Sequence, residues 1–295
     1  MERLDAFSDF TDKGYSEMVY TDDIVETRKA QLSDAALWLR EKGVIKYRMA
    51  ASDGTELIAA AFIQDDAEAP WAILLHGYTG WKEELYQHAY RFYLEGYSVL
   101  VPDLRAQGES GGRYIGLGVL DRSDLLDWLR ALQSNFSCRD IVLYGQSMGG
   151  SAAIMLAASP GLPDNVRAVV SDCAFCDAAA LFKRKVRDWT GLPSFGLIDT
   201  AGLLMKPQAG YFLSEASALK AAPDVRVPVL FIHGSEDLMV PASDMEKLFE
   251  ACGSEKKDSL LIEGAGHAQS AEKDPERYYG AVFGFLREAL EAAGE

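Results

Sequence analysis

The sequence predicts an α/β protein with an eight-stranded, mostly parallel sheet and helices on both faces. Two observations support this prediction. Short apolar runs rich in β-branched residues alternate along the chain with segments of helical period. These runs are apolar on both faces, which is typical of central strands that are covered by a helix layer on each side.

The first two strands differ from the others, because the turn sequence between them predicts an antiparallel hairpin. Ile45–Ala51 and Leu57–Ile63 flank Ser52-Asp53-Gly54-Thr55. Six further runs are predicted as central strands: Ala72–Leu75, Ser98–Val101, Ile141–Tyr144, Ala168–Val170, Val229–Ile232 and Ser259–Ile262. Five amphipathic helices are predicted between or after them: Glu83–Glu95, Leu120–Gln133, Met148–Ala158, Ser243–Ala251 and Pro275–Glu291.

Two segments depart from this alternation. Residues 1–42 form an acidic N-terminal extension, with a helix predicted near Asp23–Glu41. Residues 175–222 separate two predicted strands by far more than a crossover helix requires, so they are predicted to form a small helical cap. The sheet domain then comprises residues 43–174 and 223–295. Three large apolar residues of the cap segment are expected to line a substrate pocket: Trp189, Phe195 and Leu204.

The composition disfavours several classes of protein. Among 295 residues, Lys and Arg number 29 and Asp and Glu number 45, so the formal net charge is −16. This charge repels phosphate backbones, so no nucleic acid is expected as a partner and a neutral small molecule is favoured as substrate. No apolar run approaches the roughly 18 residues of a membrane span, and residues 1–20 do not resemble a signal peptide. A cytoplasmic location is the default expectation, and the oligomeric state stays open.

The cysteines form no clear metal-binding pattern. Cys173 and Cys176 are the close pair in the sequence, but a second pair or a flanking histidine, as in a zinc site, is missing. Free thiols are preferred for this pair, while a facultative disulfide and a metal site stay open as alternatives. Neither a metal nor a cofactor is expected.

The strongest chemical signal is the segment Gly145-Gln146-Ser147-Met148-Gly149, which follows an apolar strand and precedes a helix. A nucleophile on so sharp a turn needs neighbours without Cβ atoms, and glycine occupies positions 145 and 149. The turn projects the Ser147 hydroxyl above the sheet, at a helix N-terminus whose amides favour developing negative charge. Ser147 is therefore predicted to be a catalytic nucleophile, and the Met148 amide one donor of an oxyanion hole.

A serine hydroxyl needs a general base, and the chain offers four histidines. His88 lies within a predicted helix, His76 precedes the nucleophile and His233 ends a predicted strand. His267 lies in a glycine-flanked loop after the last predicted strand, where the base belongs in the chain order serine, acid, histidine. His267 is therefore predicted to be the base.

The base needs a carboxylate that fixes its tautomer and stabilises the imidazolium. Asp237 lies in the loop after the penultimate predicted strand, between Ser147 and His267 in the chain, and is preferred for this role. Asp172 stays open as the alternative, because it ends the preceding predicted strand. The sequence thus predicts a Ser147–His267–Asp237 triad with one rival for the acid.

The oxyanion hole needs a second donor. It is expected in the loop His76-Gly77-Tyr78-Thr79-Gly80, after the strand Ala72–Leu75. The Tyr78 amide is the preferred donor, the Thr79 amide is the second candidate, and His76 is expected to hold the loop in place. Farther along the chain, Asp103 and Arg105 are expected to form an internal ion pair that braces the loops around the site.

Together these motifs resemble those of the α/β-hydrolase superfamily. The resemblance covers roughly residues 45–292, and it rests on His76-Gly77, Asp103-x-Arg105, Gly145-x-Ser147-x-Gly149, Asp237 with Val240-Pro241, and Gly266-His267. Within the superfamily, the sequence is similar to the esterase and lipase branch that includes monoglyceride lipases, cinnamoyl esterases and acylaminopeptidase-like hydrolases.

This resemblance implies an α/β-hydrolase sheet, a catalytic triad and a two-step acyl-enzyme mechanism. The cap segment, residues 175–222, is expected to form a lid. The expected activity is the hydrolysis of small to medium neutral carboxylic esters. An amidase, a peptidase or an acyltransferase with the same triad stays open, as does a non-catalytic ligand sensor. The resemblance alone does not imply a particular substrate, because one fold hosts many.

Overall fold

The computed structural model describes residues 21–191 and 196–294. It contains an eight-stranded sheet, which confirms the predicted fold class. The strands are β1 Ile45–Ala50, β2 Glu56–Phe62, β3 Trp71–Leu75, β4 Ser98–Pro102, β5 Ile141–Gln146, β6 Val166–Asp172, β7 Val229–Gly234 and β8 Lys257–Ile262. Their order is β1-β2-β4-β3-β5-β6-β7-β8. Strand β2 pairs antiparallel with β1 and β4, and the remaining pairs are parallel.

Helices occupy most of the segments between the strands. They are α1 Asp22–Lys42, α2 Tyr86–Leu94, α3 Val119–Asn135, α4 Met148–Ala157, α5 Ala178–Thr190, α6 Leu197–Ala209, α7 Ala218–Ala221, α8 Ser243–Ala251, α9 Ser270–Lys273 and α10 Pro275–Gly294. Helices α5, α6 and α7 lie between β6 and β7, in the segment that the sequence predicts as a cap. None of the helices in the described residues has the length and apolar character needed to cross a bilayer.

The apolar core forms two layers, one on each face of the sheet. One layer contains Ile154 of α4 and Leu248 of α8, and the other contains Trp38 of α1 and Leu286 of α10. Because both faces are covered, β3 and β7 bury every one of their residues. This double cover is the physical reason why the whole of β3, and β7 from Val229 to Ile232, is apolar.

The turn between β5 and α4, at the carboxyl edge of the sheet, has a tightly constrained backbone. Ser147 has φ 55° and ψ −117°, a region that residues with a Cβ atom rarely adopt. A Cβ atom on Gly145 would collide with the Gly149 carbonyl, and one on Gly149 would collide with the Leu75 carbonyl of β3. The turn can therefore form only with glycine on both sides of the serine.

We expect Gly149→Ala to lower the free energy of unfolding by about 3 kcal/mol, because the added methyl group meets rigid backbone at Leu75. Gly280→Ala and Gly284→Ala are matched controls, since an added Cβ there has nothing within 4 Å. Each control should stabilise α10 by up to about 1 kcal/mol, because alanine has the higher helix propensity. Urea denaturation measures all three variants, and wild-type stability of Gly149→Ala would contradict the steric argument.

Candidate active site

Three side chains from separate loops converge above the carboxyl edge of the sheet. Ser147 lies between β5 and α4, Asp237 in the loop after β7, and His267 in the loop after β8. His267 Nε2 lies 2.9 Å from Ser147 Oγ, and His267 Nδ1 lies 2.7 Å from Asp237 Oδ2. The two contacts form one continuous chain of hydrogen bonds, which is the geometry that a base-activated serine requires.

The Asp237 carboxylate is buried, and both of its oxygens accept hydrogen bonds. Oδ1 accepts the backbone N–H groups of Met239 and Val240, each at 2.8 Å. Oδ2 lies 2.7 Å from His267 Nδ1 and 3.1 Å from His233 Nε2. Burial alone would raise the pKa of this carboxyl, but the two histidines hold its pKa well below the usual range. Asp237 is therefore an anion at neutral pH and can stabilise an imidazolium at position 267.

Asp172, the alternative acid, has different partners. Its Oδ2 accepts the hydroxyl hydrogen of Tyr278 from α10 at 2.9 Å. Its backbone carbonyl accepts the Ser147 N–H at 2.8 Å. Burial raises the pKa of the Asp172 carboxyl to about 6. Asp172 thus supports the nucleophile turn through its backbone, whereas Asp237 is the carboxylate that contacts His267.

The loop after β3 adjoins the nucleophile. A Cβ atom built on Gly77 would lie 3.5 Å from Ser147 Cβ, so the backbone of this loop runs directly past the serine. Tyr78 follows Gly77, and Met148 begins α4, whose first N–H groups have no partner within the helix. The oxyanion donors predicted from the sequence, the amides of Tyr78 and Met148, therefore belong to segments that adjoin Ser147. Their catalytic role stays a prediction.

His76 ties this loop to the loop after β4. Its Nε2 accepts the Leu104 N–H at 2.9 Å, and its Nδ1 donates to the Gly77 carbonyl at 2.8 Å. The ring is fully buried, and burial lowers the pKa of His76 to about 4. His76 is therefore neutral at physiological pH and holds the loop by hydrogen bonds, as its sequence position predicts.

Most of the chain matches the model of a known protein family. Residues 72–281 match the model of the alpha/beta hydrolase family, and this segment includes all three residues of the predicted triad. The chain belongs to the α/β-hydrolase family. Helix α1 lies outside the matched segment.

Relatives of this α/β-hydrolase occur in several bacteria. The uncharacterized protein YqkD of Bacillus subtilis is 29% identical over 215 residues, which span 72% of this chain and 70% of the relative. The uncharacterized protein YfhR of Salmonella typhi is 27% identical over 256 residues, which span 82% of this chain and 81% of the relative.

Solved structures share the fold. The Pyrococcus furiosus esterase Pf2001 superposes with a TM-score of 0.67 at 23% identity, over 88% of this chain and 95% of that one. Est1E from Butyrivibrio proteoclasticus, solved with ferulic acid bound, has a TM-score of 0.63 at 19% identity, over 84% of this chain and 99% of that one. At these identities the likeness shows the α/β-hydrolase fold alone.

The expected ion pair between Asp103 and Arg105 is wrong, because each side chain has another partner. Asp103 Oδ2 lies 2.7 Å from Lys82 Nζ. Arg105 instead binds Asp124, with Nε 2.8 Å from Oδ2, and Asp53, with Nη1 2.7 Å from Oδ2. Two separate ion-pair groups therefore brace the loops around the site, and both use charges that lie far from this motif in the sequence.

His233 has a role that its position at the end of a strand did not reveal. The ring is fully buried, and its Nε2 lies 3.1 Å from the Val240 carbonyl as well as 3.1 Å from Asp237 Oδ2. Burial lowers the pKa of His233, but Asp237 outweighs this effect and the net shift is upward. The available sequence signal was the short spacing between His233, near the end of β7, and Asp237 in the following loop, which lets the ring reach the carboxylate.

Cys173 also adjoins the triad. Its Sγ and one ligand atom each of Asp237 and His267 all lie within 4.8 Å of one another, so the three form a possible metal-binding group by residue type. Burial, together with the nearby carboxylates, raises the pKa of the Cys173 thiol well above its usual range, whereas a metal requires the thiolate. This chemistry fits the hydrogen bond between Asp237 and His267 better than metal binding. Cys173 and Cys176 are both free thiols.

Helix α5 of the cap segment contacts two of the loops that form the site. Lys185 Nζ donates to the Leu238 carbonyl in the Asp237 loop at 3.0 Å. The ring of Phe182 lies 6.3 Å, centroid to centroid, from the ring of Tyr78 in the loop after β3. Helix α5 therefore bridges the loops on which the acid and a predicted oxyanion donor lie.

The structure describes only one of the three side chains that the sequence predicts in a substrate pocket. Leu204 lies on α6 and is 56% exposed. Trp189 lies on α5, but its side chain is outside the described residues, as is the whole of Phe195. The role of these three residues in substrate binding stays a prediction.

The two candidate acids predict different effects on catalysis. We expect Asp237→Asn to lower kcat by about 10⁴-fold, because the variant can no longer hold His267 in the required tautomer. Asp172→Asn should lower kcat far less, because the Asp172 carboxylate binds Tyr278 and not His267. Steady-state kinetics on a p-nitrophenyl ester measures both. A larger loss in the Asp172 variant would transfer the role of the acid to Asp172.

Asp172 also predicts a pH-dependent stability. Its pKa rises from 3.8 to about 6 in the folded state, so between these values the folded protein holds a proton that the unfolded chain releases. The charged carboxylate therefore destabilises the fold at pH 7, and this cost disappears as the pH falls below about 6.

We therefore compare the free energy of unfolding of Asp172→Asn with that of wild type. The difference, variant minus wild type, should be larger at about pH 7.5 than at about pH 4.5, by on the order of 2 kcal/mol. Urea denaturation at the two pH values measures this change. Asp258→Asn, at an exposed position, is the control that should show no such dependence. A difference between Asp172→Asn and wild type that is the same at both pH values would contradict the buried-charge argument.

Proposed function

We propose that this α/β-hydrolase is a serine esterase that cleaves small to medium neutral carboxylic esters. The observation that carries the proposal is the unbroken chain of hydrogen bonds from Ser147 Oγ through His267 to Asp237. Family membership supports hydrolase activity, and the backbone at Ser147 has the geometry expected of a nucleophile turn.

In the acylation step, His267 Nε2 accepts the Ser147 hydroxyl proton while Oγ attacks the ester carbonyl. The carbonyl oxygen becomes an oxyanion, for which the amides of Tyr78 and Met148 are the proposed donors. The imidazolium is stabilised by the Asp237 carboxylate. When the carbon–oxygen bond breaks, His267 gives its proton to the leaving alcohol, and the acyl group stays on Ser147.

In the deacylation step, a water molecule takes the place of the alcohol. His267 accepts a proton from the water, whose oxygen attacks the acyl carbonyl. Collapse of the second oxyanion breaks the bond to Ser147 Oγ, which recovers the proton from His267, and a carboxylic acid leaves. Each step uses the same base and the same donors, so one site serves both halves of the reaction.

The choice of a neutral ester rests on charge and on the surface near the site. The net charge of −16 disfavours anionic substrates. Two apolar side chains on the site loops are exposed, Tyr78 by 49% and Leu238 by 57%, and both can contact an apolar acyl or alcohol group. A solved structure with the same fold, Pf2001 of Pyrococcus furiosus, bears the name esterase, which agrees with an ester substrate.

The mechanism predicts that a fluorophosphonate reagent labels Ser147 stoichiometrically, because His267 Nε2 lies 2.9 Å from the Ser147 hydroxyl oxygen and can accept its proton. Ser147→Ala should abolish labelling and lower kcat by at least about 10⁴-fold. Ser134→Ala, which changes an exposed serine of α3, should keep both at wild-type level. Mass spectrometry locates the label, and its absence from Ser147 would leave the chain as a ligand-binding protein without this chemistry.

The substrate class is tested with p-nitrophenyl esters of graded acyl length beside aminoacyl anilides, each with and without added alcohol. We expect kcat/KM to be highest for an ester, with free acid as the product. Faster cleavage of the anilides would assign the site to an amidase or peptidase. Transfer of the acyl group to the alcohol as the main reaction would assign it to an acyltransferase.

A further inference from the structure

The loop that carries His267 has a strained residue directly after the histidine. Ala268 has φ 56°, a left-handed conformation that is costly for a residue with a Cβ atom. Such a conformation persists only where surrounding contacts hold it. Because Ala268 is bonded to His267, the contacts that hold the Ala268 backbone also set the direction of the imidazole ring.

Helix α1 supplies a contact of this kind. Arg28 Nη2 donates to the Ala268 carbonyl at 3.2 Å. The same guanidinium binds Glu272 of α9, with both Nε and Nη2 at 2.8 Å from Oε1. One arginine thus holds the residue after His267 and also the short helix into which the His267 loop continues.

The burial of Glu272 favours the contact between α1 and α9. The Glu272 side chain is 1% exposed, and a buried carboxylate is costly unless it is paired. Its Oε1 accepts a further hydrogen bond from Gln87 Nε2 at 3.2 Å, while Arg28 is its ion-pair partner. Removal of the guanidinium would leave the charge of Glu272 uncompensated, so the folded state favours α1 in contact with α9.

Two further contacts keep α1 in position. Gln31, one turn along the helix from Arg28, donates through Nε2 to the Ala271 carbonyl at 3.1 Å. Farther along, the buried ring of Trp38 lies 4.5 Å, centroid to centroid, from the ring of Phe62 in β2. Helix α1 is therefore anchored to the sheet layer and to the His267 loop at the same time, although it lies outside the segment that matches the family.

We infer that α1 is a positioning element of the active site and that Arg28 is its positioning residue. By holding the Ala268 carbonyl and Glu272, Arg28 keeps His267 at hydrogen-bond distance from both Ser147 and Asp237. This inference rests on the proposed function, in which His267 is the base. Arg28 acts through the loop and does not touch the reacting atoms, so it affects the chemical steps and leaves substrate binding unchanged.

The kinetic test compares Arg28→Met and Arg28→Lys with Asp23→Asn. Asp23 is the matched control, because it lies on α1 and forms an exposed ion pair with Lys273 at 2.9 Å. We expect kcat to fall about tenfold in Arg28→Met and by less in Arg28→Lys, with KM within about twofold of wild type. The control should keep wild-type values.

Arg28→Lys retains a positive charge near Glu272, so it keeps the test valid if Arg28→Met fails to fold. A lysine has no planar guanidinium that can donate to Glu272 and to the Ala268 carbonyl at once. The loss of kcat in this variant therefore reports the loss of this two-point hydrogen bonding. Wild-type kcat in folded Arg28 variants would overturn the inference, as would an equal loss in Asp23→Asn.

A spectroscopic readout separates this inference from the proposed function. The proton on His267 Nδ1, bound to Asp237, should give a far-downfield resonance, which is assigned by its loss in His267→Gln. In inactive Ser147→Ala protein, this resonance should shift or broaden when Arg28→Lys is added, and it should stay unchanged with Asp23→Asn. An unchanged resonance overturns the inference and leaves the esterase proposal intact.

Conversely, wild-type protein that neither hydrolyses esters nor reacts with a fluorophosphonate would overturn the esterase proposal. The resonance would still report whether Arg28 positions His267, because it does not depend on turnover.

Discussion

The contact between His267 Nδ1 and Asp237 Oδ2, at 2.7 Å, joins the loops after β8 and β7, and much of the surrounding structure serves to hold it. A buried carboxylate is costly unless its oxygens are paired. The Asp237 carboxylate is stabilised by the amides of Met239 and Val240 and by the ring of His233. The site therefore contains a stable anion next to the imidazole before any substrate arrives.

The parallel sheet explains how residues so far apart in the chain meet. Strands β5, β7 and β8 run in the same direction, so their carboxyl ends share one edge, where the loops with Ser147, Asp237 and His267 begin. The nucleophile turn can approach β3 only because Gly149 lacks a Cβ atom. Helix α5 contacts loops at the same edge, and Arg28 of α1 contacts the His267 loop there.

Elements with a strong local pattern were predicted well from the sequence. The eight predicted strands correspond to β1 to β8 with small differences at their ends. The central strands were predicted because doubly covered strands are apolar on both faces, and β1 and β2 because a turn sequence lies between them. The turn at Ser147 was predicted because it requires glycine at neighbouring positions, and positions 145 and 149 are glycine. The long predicted helix at 83–95 instead begins as a 3₁₀ turn, Lys82–Leu85, where Asp103 Oδ1 accepts the Lys82 N–H at 2.7 Å.

The sequence by itself determined the fold class and the order of the candidate triad, because periodicity, glycine placement and chain order are local or one-dimensional properties. Only the tertiary structure decided which charges pair: Asp103 with Lys82 in place of Arg105, His233 with Asp237, and Arg28 with Glu272. Lysine and arginine side chains reach several possible partners, and nothing in the spacing of Lys82 or Arg28 selects one. The selection is made by packing, which buries one carboxylate beside one cation and leaves the other partners out of reach.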